Sequence, residues 1–190
     1  MSNEDNNIRN LAGKILFSTS STSNEYLSKS MIYLCSHDKN GAMGIIINKI
    51  IPNMTICSVL KKMKIDASGV GNLDILFGGT EEKDRCFILH SSDYMSPNST
   101  IIHDRIALTI NGDILSILTL TTGPKKKILC MGCCIWEVDQ LENEVASSYW
   151  IPIDSDEALI FGDPKADKWN KAWLKIGSNT NVFLDSLGNA

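Results

Sequence analysis

No apolar run in the 190 residues approaches the roughly 20 needed to cross a bilayer, and the opening MSNEDNNIRN is polar and partly acidic, unlike a secretory signal. The expectation is a cytoplasmic protein without membrane attachment. An excess of positive charge is also missing: 18 Lys and Arg stand against 22 Asp and Glu, for a formal net charge of −4. A general nucleic-acid binder needs cations to neutralise phosphates, so direct nucleic-acid contact is disfavoured. The short basic clusters Lys61-Lys62-Lys64 and Lys125-Lys126-Lys127 read as a solvated helix face and a turn flank. G-x-S-x-G elbow, P-loop and H-E-x-x-H are all absent, which leaves the familiar nucleophile, phosphate and metalloprotease machines unsupported. Cys130 and Cys133 have the spacing of a redox or zinc pair, but there is no second Cys pair and His37, His90 and His103 are isolated. No metal site and no cofactor are expected. The six cysteines lie in or beside apolar runs, as reduced thiols packed as small hydrophobes would.

What is present is the composition of a globular chain, 43% hydrophobic and 21% charged, with one domain as the default at this length. Residues 1–10 and 178–190 read as loose tails. The organising stretch is Met31 to Lys49, in which two apolar runs flank His37-Asp38-Lys39-Asn40-Gly41. This predicts a hairpin, with Asn40-Gly41 supplying the positive φ that tight turns demand. Strands are also predicted over Leu11 to Phe17, Leu73 to Phe77, Arg85 to His90, Ile101 to Leu108 and Lys127 to Met131. Tyr149 to Ile153 adds a strand whose Pro152 suits a sheet edge. Thr55 can cap a helix carrying Ile56, Val59, Leu60 and Met63 on one face. Further helices are predicted over 114–120, over 138–147 and from Asp163-Pro164 onward, the last with Trp169, Trp173 and Ile176 on one face. Gly132 to Ile135 reads as a turn. Strands and helices alternate without a βαβ rhythm, which makes the fold class α+β.

Several polar residues stand where chemistry is possible. Asn48-Lys49 ends a buried strand, so the pair is either a site rim or plain strand punctuation. His37-Asp38 could act as a base with its carboxylate, Lys49 or Arg85 could hold an anion, and Gly78-Gly79 allows close backbone approach. Asp84-Arg85 can equally be a local ion pair. Trp169 and Trp173, four apart, are expected to pack. Trp136 stands between packing and a binding rim.

Taken together these residues resemble the YqgE/AlgH family of bacterial proteins from Leu16 to Ile176. The resemblance is carried by three ordered blocks. The first is Tyr33, Cys35, His37, Asn40 to Gly44 and Ile47 to Lys49; the second is Gly78, Gly79, Arg85, Phe87, Leu89 and His90; the third is Trp136, Gln140-Leu141-Glu142, Glu144 and downstream Trp150. The chain departs from the family pattern at Ser20, Asn24-Glu25, Ile50, Thr80, Cys86, Ile135 and Asp139, and the first loop is expected to differ in backbone shape. The resemblance implies an α+β fold with a closed, barrel-like sheet flanked by helices, in a cytosolic protein. One branch of the family was named for transcriptional regulation, but the implied fold is not a recognised DNA-binding type.

The expected function is binding of a small molecule or protein partner, in a regulatory role. The alternative is an enzyme with a His-containing pocket, and direct DNA binding ranks third. The expected site is a convergence of His37, Asn48, Lys49, Gly78, Gly79, Arg85 and His90, with Trp136 as a further rim.

Overall fold

The predicted hairpin forms: β2 (Met31–Asp38) and β3 (Gly41–Ile46) are joined by Lys39-Asn40, with the Asp38 carboxylate accepting the Asn40 N–H at 2.7 Å. The computed structural model describes residues 10–19, 25–62, 64, 68, 70–71, 73–110, 117–118, 122–162 and 168–178. Apart from their boundary residues the expected tails lie outside these, as do Ser20, Asn24 and residues 163–167 at the start of the last predicted helix. Of the helix predicted over 114–120, Ile117 and Leu118 are described, both helical and buried.

The remaining strands are β1 (Ile15–Ser18), β4 (Ile50–Thr55), β5 (Asp74–Phe77), β6 (Glu81–Ser91), β7 (Ser99–His103), β8 (Ile106–Ile110), β9 (Lys127–Trp136) and β10 (Trp150–Ile153). The helices are α1 (Ile56–Lys62), α2 (Gln140–Ala146), α3 (Glu157–Phe161) and α4 (Lys168–Ser178). Strand β9 is the centre. Strand β6 runs antiparallel along one edge. The other edge is shared between β5, parallel beside Leu129 to Met131, and β3, antiparallel beside Cys134 to Trp136.

The sheet curls, yet it is open rather than the closed barrel that the resemblance implies. Its order is β10-β1-β2-β3-β9-β6-β8-β7, and among the described strands β10 and β7 do not pair. The physical reason is that helices cover the concave face. Ile160 of α3 and Ala172, Trp169 and Trp173 of α4 pack into the cluster of Phe17, Tyr33, Ile45, Phe87, Leu108 and Cys130, so the apolar interior is sealed without the edges meeting. Strand β10, with Pro152, is an edge strand as its proline predicts. Trp169 and Trp173 stack with ring centroids 5.4 Å apart and share one face, as their spacing predicts.

Alternation puts the next residues on the convex face, which carries two separate clusters. Leu16, Ile32, Ile46, Trp136 and Trp150 pack with Leu141 of α2, and Ile75, Ile88 and Leu129 pack with Ile56 and Leu60 of α1. Thr55 caps α1 as expected, its hydroxyl accepting the Ser58 N–H at 3.3 Å.

Two bulges decide which side chains reach the convex face. On β2 the register slips between Leu34 and Ser36, so His37 leaves the concave set of Met31, Tyr33 and Cys35 and pairs with convex Ala42. On β9, Gly132 has φ of 77°, after which Cys133 faces the concave core while Cys134 and Trp136 face α2. The turn predicted at 132–135 is this bulge, and the strand continues through it to Trp136. The single strand predicted over Ile101 to Leu108 is two strands, because Asp104 turns the chain at φ of 49°. Strand β4 and helix α3 carry too few periodic apolar residues to be read from the sequence.

Candidate functional site

The predicted site residues do not converge on one pocket. His37 sits opposite Ala42, which pairs with Trp136 at the end of β9, whereas His90 pairs with Lys127 at its start. An extended strand of that length spans roughly 30 Å. Both rings are buried and engaged at both nitrogens. His37 Nδ1 accepts the Leu11 N–H at 3.1 Å, leaving Nε2 to donate to Glu142 at 2.9 Å. His90 lies 2.9 Å from the Thr109 hydroxyl through Nε2 and 3.0 Å from the Ser91 carbonyl through Nδ1. The second contact requires Nδ1 to carry a proton.

Burial holds the His90 pKa below its ordinary 6.5, against the raising effects of the Ser91 carbonyl and Asp93, with Lys127 reinforcing the fall. The unfolded chain therefore protonates this ring before the folded one does. His90 contributes stability that is whole above pH 6.5 and is lost as pH falls through the folded value. Urea unfolding of the parent and His90→Gln at pH 7, 6 and 5 should show the parent losing stability relative to the variant as pH drops. A constant difference would refute this role.

Asn48, Lys49, Gly78 and Gly79 are brought near one another where β5 passes β9. The Asn48 side chain accepts the Met31 N–H at 2.9 Å and donates to the Lys29 carbonyl at 2.8 Å, tying the two ends of the hairpin. Lys49 donates to the Tyr26 carbonyl at 2.6 Å, and burial lowers its pKa while Cys134 acts in the opposite direction. A Cβ on Gly79 would stand 2.1 Å from the Cys133 carbonyl, so this residue is glycine because backbone passes backbone there. Arg85, next to Cys86 where β6 pairs with Met131, is bonded to Glu82 at 2.6 Å on an exposed segment.

A cleft of about 330 Å³ opens beside the third sequence block, between the end of β9, α2 and the start of β10. Trp136 lines it together with Trp150, Tyr149, Ile135, Thr80, Glu81, Gln140 and Glu144. The two buried indoles meet edge to face with centroids 6.0 Å apart. Glu144 Oε2 accepts both indole N–H groups, from Trp136 at 2.8 Å and from Trp150 at 2.7 Å, while Oε1 accepts Gln140 Nε2 at 2.9 Å. Gln140 and Glu144 are one turn apart on α2, which aims both at the cleft. None of the described residues lining the cleft is basic. Thr80, Gln140, Glu144 and Trp150 were not nominated from the sequence as site residues. The spacing Trp136, Gln140, Glu144, Trp150 was the available signal, but only a helix packed on a strand end makes those residues neighbours.

The Cys134 thiol lines the cleft floor, pushed up to about 12 by burial and then by Cys133, so it is a neutral thiol at pH 7. Cys133 is pushed up to about 11, by burial first. All six cysteines are free, and among the described residues no group of three or more His, Cys, Asp and Glu is placed to hold a metal ion. No helix among them is long and apolar enough to cross a membrane.

The sequence profile of the AlgH-like family matches residues 15–181. A UPF0301 protein of Buchnera aphidicola subsp. Baizongia pistaciae is 39% identical over 166 residues, covering 85% of this chain and 88% of its own. Another from Photorhabdus laumondii subsp. laumondii is 34% identical over 186 residues, covering 95% and 100%. Among solved structures, the AlgH protein from Pseudomonas aeruginosa superposes with a TM-score of 0.77 at 26% identity over 96% of this chain and 97% of its own. A protein from Corynebacterium diphtheriae shares the fold, with a TM-score of 0.68 at 17% identity over 86% of each chain.

Proposed function

This chain belongs to the AlgH-like family, and from that membership we propose that it works by binding, with the Trp136–Trp150–Glu144 cleft as the site and regulation of a partner as the outcome. The observation that carries this is the fixed carboxylate. Two buried indoles and a glutamine hold Glu144 at the cleft wall, giving a concave site with preset polar geometry inside an aromatic frame. The occupant is a small molecule or a protein segment. Glu81 and Glu144 would repel the phosphates of a nucleic acid. The six unpaired cysteines support a reducing compartment such as the cytoplasm.

An enzyme is the second reading, and the histidines weigh against it. Neither His37 nor His90 lines the cleft, and each already has both ring nitrogens engaged. Nuclear magnetic resonance of the full chain against a library of small cationic, neutral and anionic compounds tests the proposal, with the indole N–H signals assigned through Trp136→Phe and Trp150→Phe. Binders should move those two signals. Binders that move only signals elsewhere, or none that bind at all, would refute the site. Turnover lost in a folded His37→Ala or His90→Ala variant would establish the enzyme instead.

A further inference from the structure

We propose that the cleft receives an arginine side chain presented by an exposed segment of a partner protein, an inference that rests on the cleft being the binding site. An ionised carboxylate offers about four acceptor positions. Glu144 spends three of them on Trp136, Trp150 and Gln140, which leaves Oε1 open to a further donor. Among the described residues Glu81, on the same cleft, makes a 3.4 Å contact with the Thr80 hydroxyl. The described lining thus offers two carboxylates and no cation. Lys49, whose charge reaches Cys134 on the cleft floor, donates to the Tyr26 carbonyl. A guanidinium carries five N–H donors in a planar fork, matching acceptors fixed in place better than a hydrated ammonium does.

The surroundings point to a protein segment rather than a free cation. Among the described residues seven large hydrophobic side chains are exposed. Three of them, Ile135, Val138 and Tyr149, line this cleft and the hollow that adjoins it through Gln140, Glu144 and Tyr149. Such clustering marks an interaction surface, since apolar residues scattered singly carry no such meaning. Ile135 and Tyr149 flank the carboxylates where they would cover the methylene stem of an arginine, and Val138 extends the apolar strip to the residues on either side of it. Charge and apolar contact are therefore offered together, as an arginine between apolar neighbours requires.

The test is a titration of the full chain, followed through the Trp136 and Trp150 indole signals, with acetyl-Leu-Arg-Leu-amide, its citrulline and glutamate counterparts, and agmatine as a free guanidinium. The arginine peptide should bind, and the citrulline peptide, the neutral isostere, should bind about tenfold more weakly. Glu81→Gln and Ile135→Ser should each weaken the arginine peptide several-fold while leaving the melting temperature unchanged. A citrulline or glutamate peptide that binds as well as arginine would overturn the charge assignment while leaving the cleft as a binding site. Agmatine binding as tightly as the peptide would overturn the partner segment and assign the cleft to a free cation. If no guanidinium probe moves the indole signals while members of the compound library do, this inference alone fails. If neither moves them, the site fails with it.

Discussion

Gly132→Ala is expected to cost about 4 kcal/mol or more, at the exceptional end of single substitutions. Gly132 sits in the β9 bulge at φ of 77°, a conformation that L side chains adopt only under strain. Space is the second obstacle. A Cβ there would lie 2.5 Å from the Gly79 carbonyl oxygen and 3.0 Å from that of Glu81, and both neighbours are backbone. Neither can retreat cheaply, because Gly79 itself passes the Cys133 carbonyl too closely for any side chain. The bulge also sets the facing of Cys133, Cys134 and Trp136, so relieving the clash by flattening β9 would turn Trp136 away from α2. Thermal unfolding should show a melting temperature lower by about 10 °C or more, or failure to fold. Gly71→Ala is the control, since a Cβ there meets nothing within 4 Å. Parent-like stability of Gly132→Ala would refute the bulge as the device that orients the cleft.

That same glycine marks where sequence reasoning stops. A positive-φ glycine after an apolar run looks alike in a turn and in a bulge, and what separates them is whether partner strands continue alongside. Here β3 and the start of β6 do, and both come from far earlier in the chain. The hairpin was legible because its pairing is local and its turn chemistry explicit. The Thr55 cap was legible for the same reason. The α+β class was legible from the mixture of elements, but closure of the sheet was not, since it depends on whether α3 and α4 or the opposite sheet edge covers the concave face.

The candidate site divides in the same way. Histidines and a lysine at strand ends look alike whether exposed in a pocket or tied into the core. His37 and His90 became interior hydrogen-bonding residues because a bulge and strand alternation carried both to the convex face, where each ring is buried and bonded at both nitrogens. Trp136, open from the sequence between packing and a rim, is a buried residue that also lines the cleft, and its partners come from α2 and β10. The contact that fixes the cleft, one carboxylate oxygen serving two indoles, is tertiary.

Glu144→Leu is expected to destabilise the fold by about 2–4 kcal/mol, although Glu144 is itself only half-buried, because the substitution strands two donors at once. Trp136 and Trp150 are 4% and 2% exposed, and each indole N–H is bonded to Glu144 Oε2. An orphaned buried donor costs about 1–3 kcal/mol, and water entering the cleft would meet part of the need, which keeps the expectation below the sum of about 6. Glu144→Gln keeps a carbonyl oxygen for the indoles and should cost about 1 kcal/mol or less in stability. It would still remove the charge proposed to receive a guanidinium, separating the structural task of this residue from its binding task. The decisive comparison is Glu144→Leu in a Trp136→Phe background. With one indole donor already gone, the leucine strands a single N–H, so the double variant should be more stable than the sum of the two single losses predicts. Urea unfolding of the four proteins of this cycle measures the difference. Strict additivity would show that the carboxylate and the indole do not depend on each other, and Glu144 would then be an ordinary surface residue of α2 instead of the fixed wall of a site.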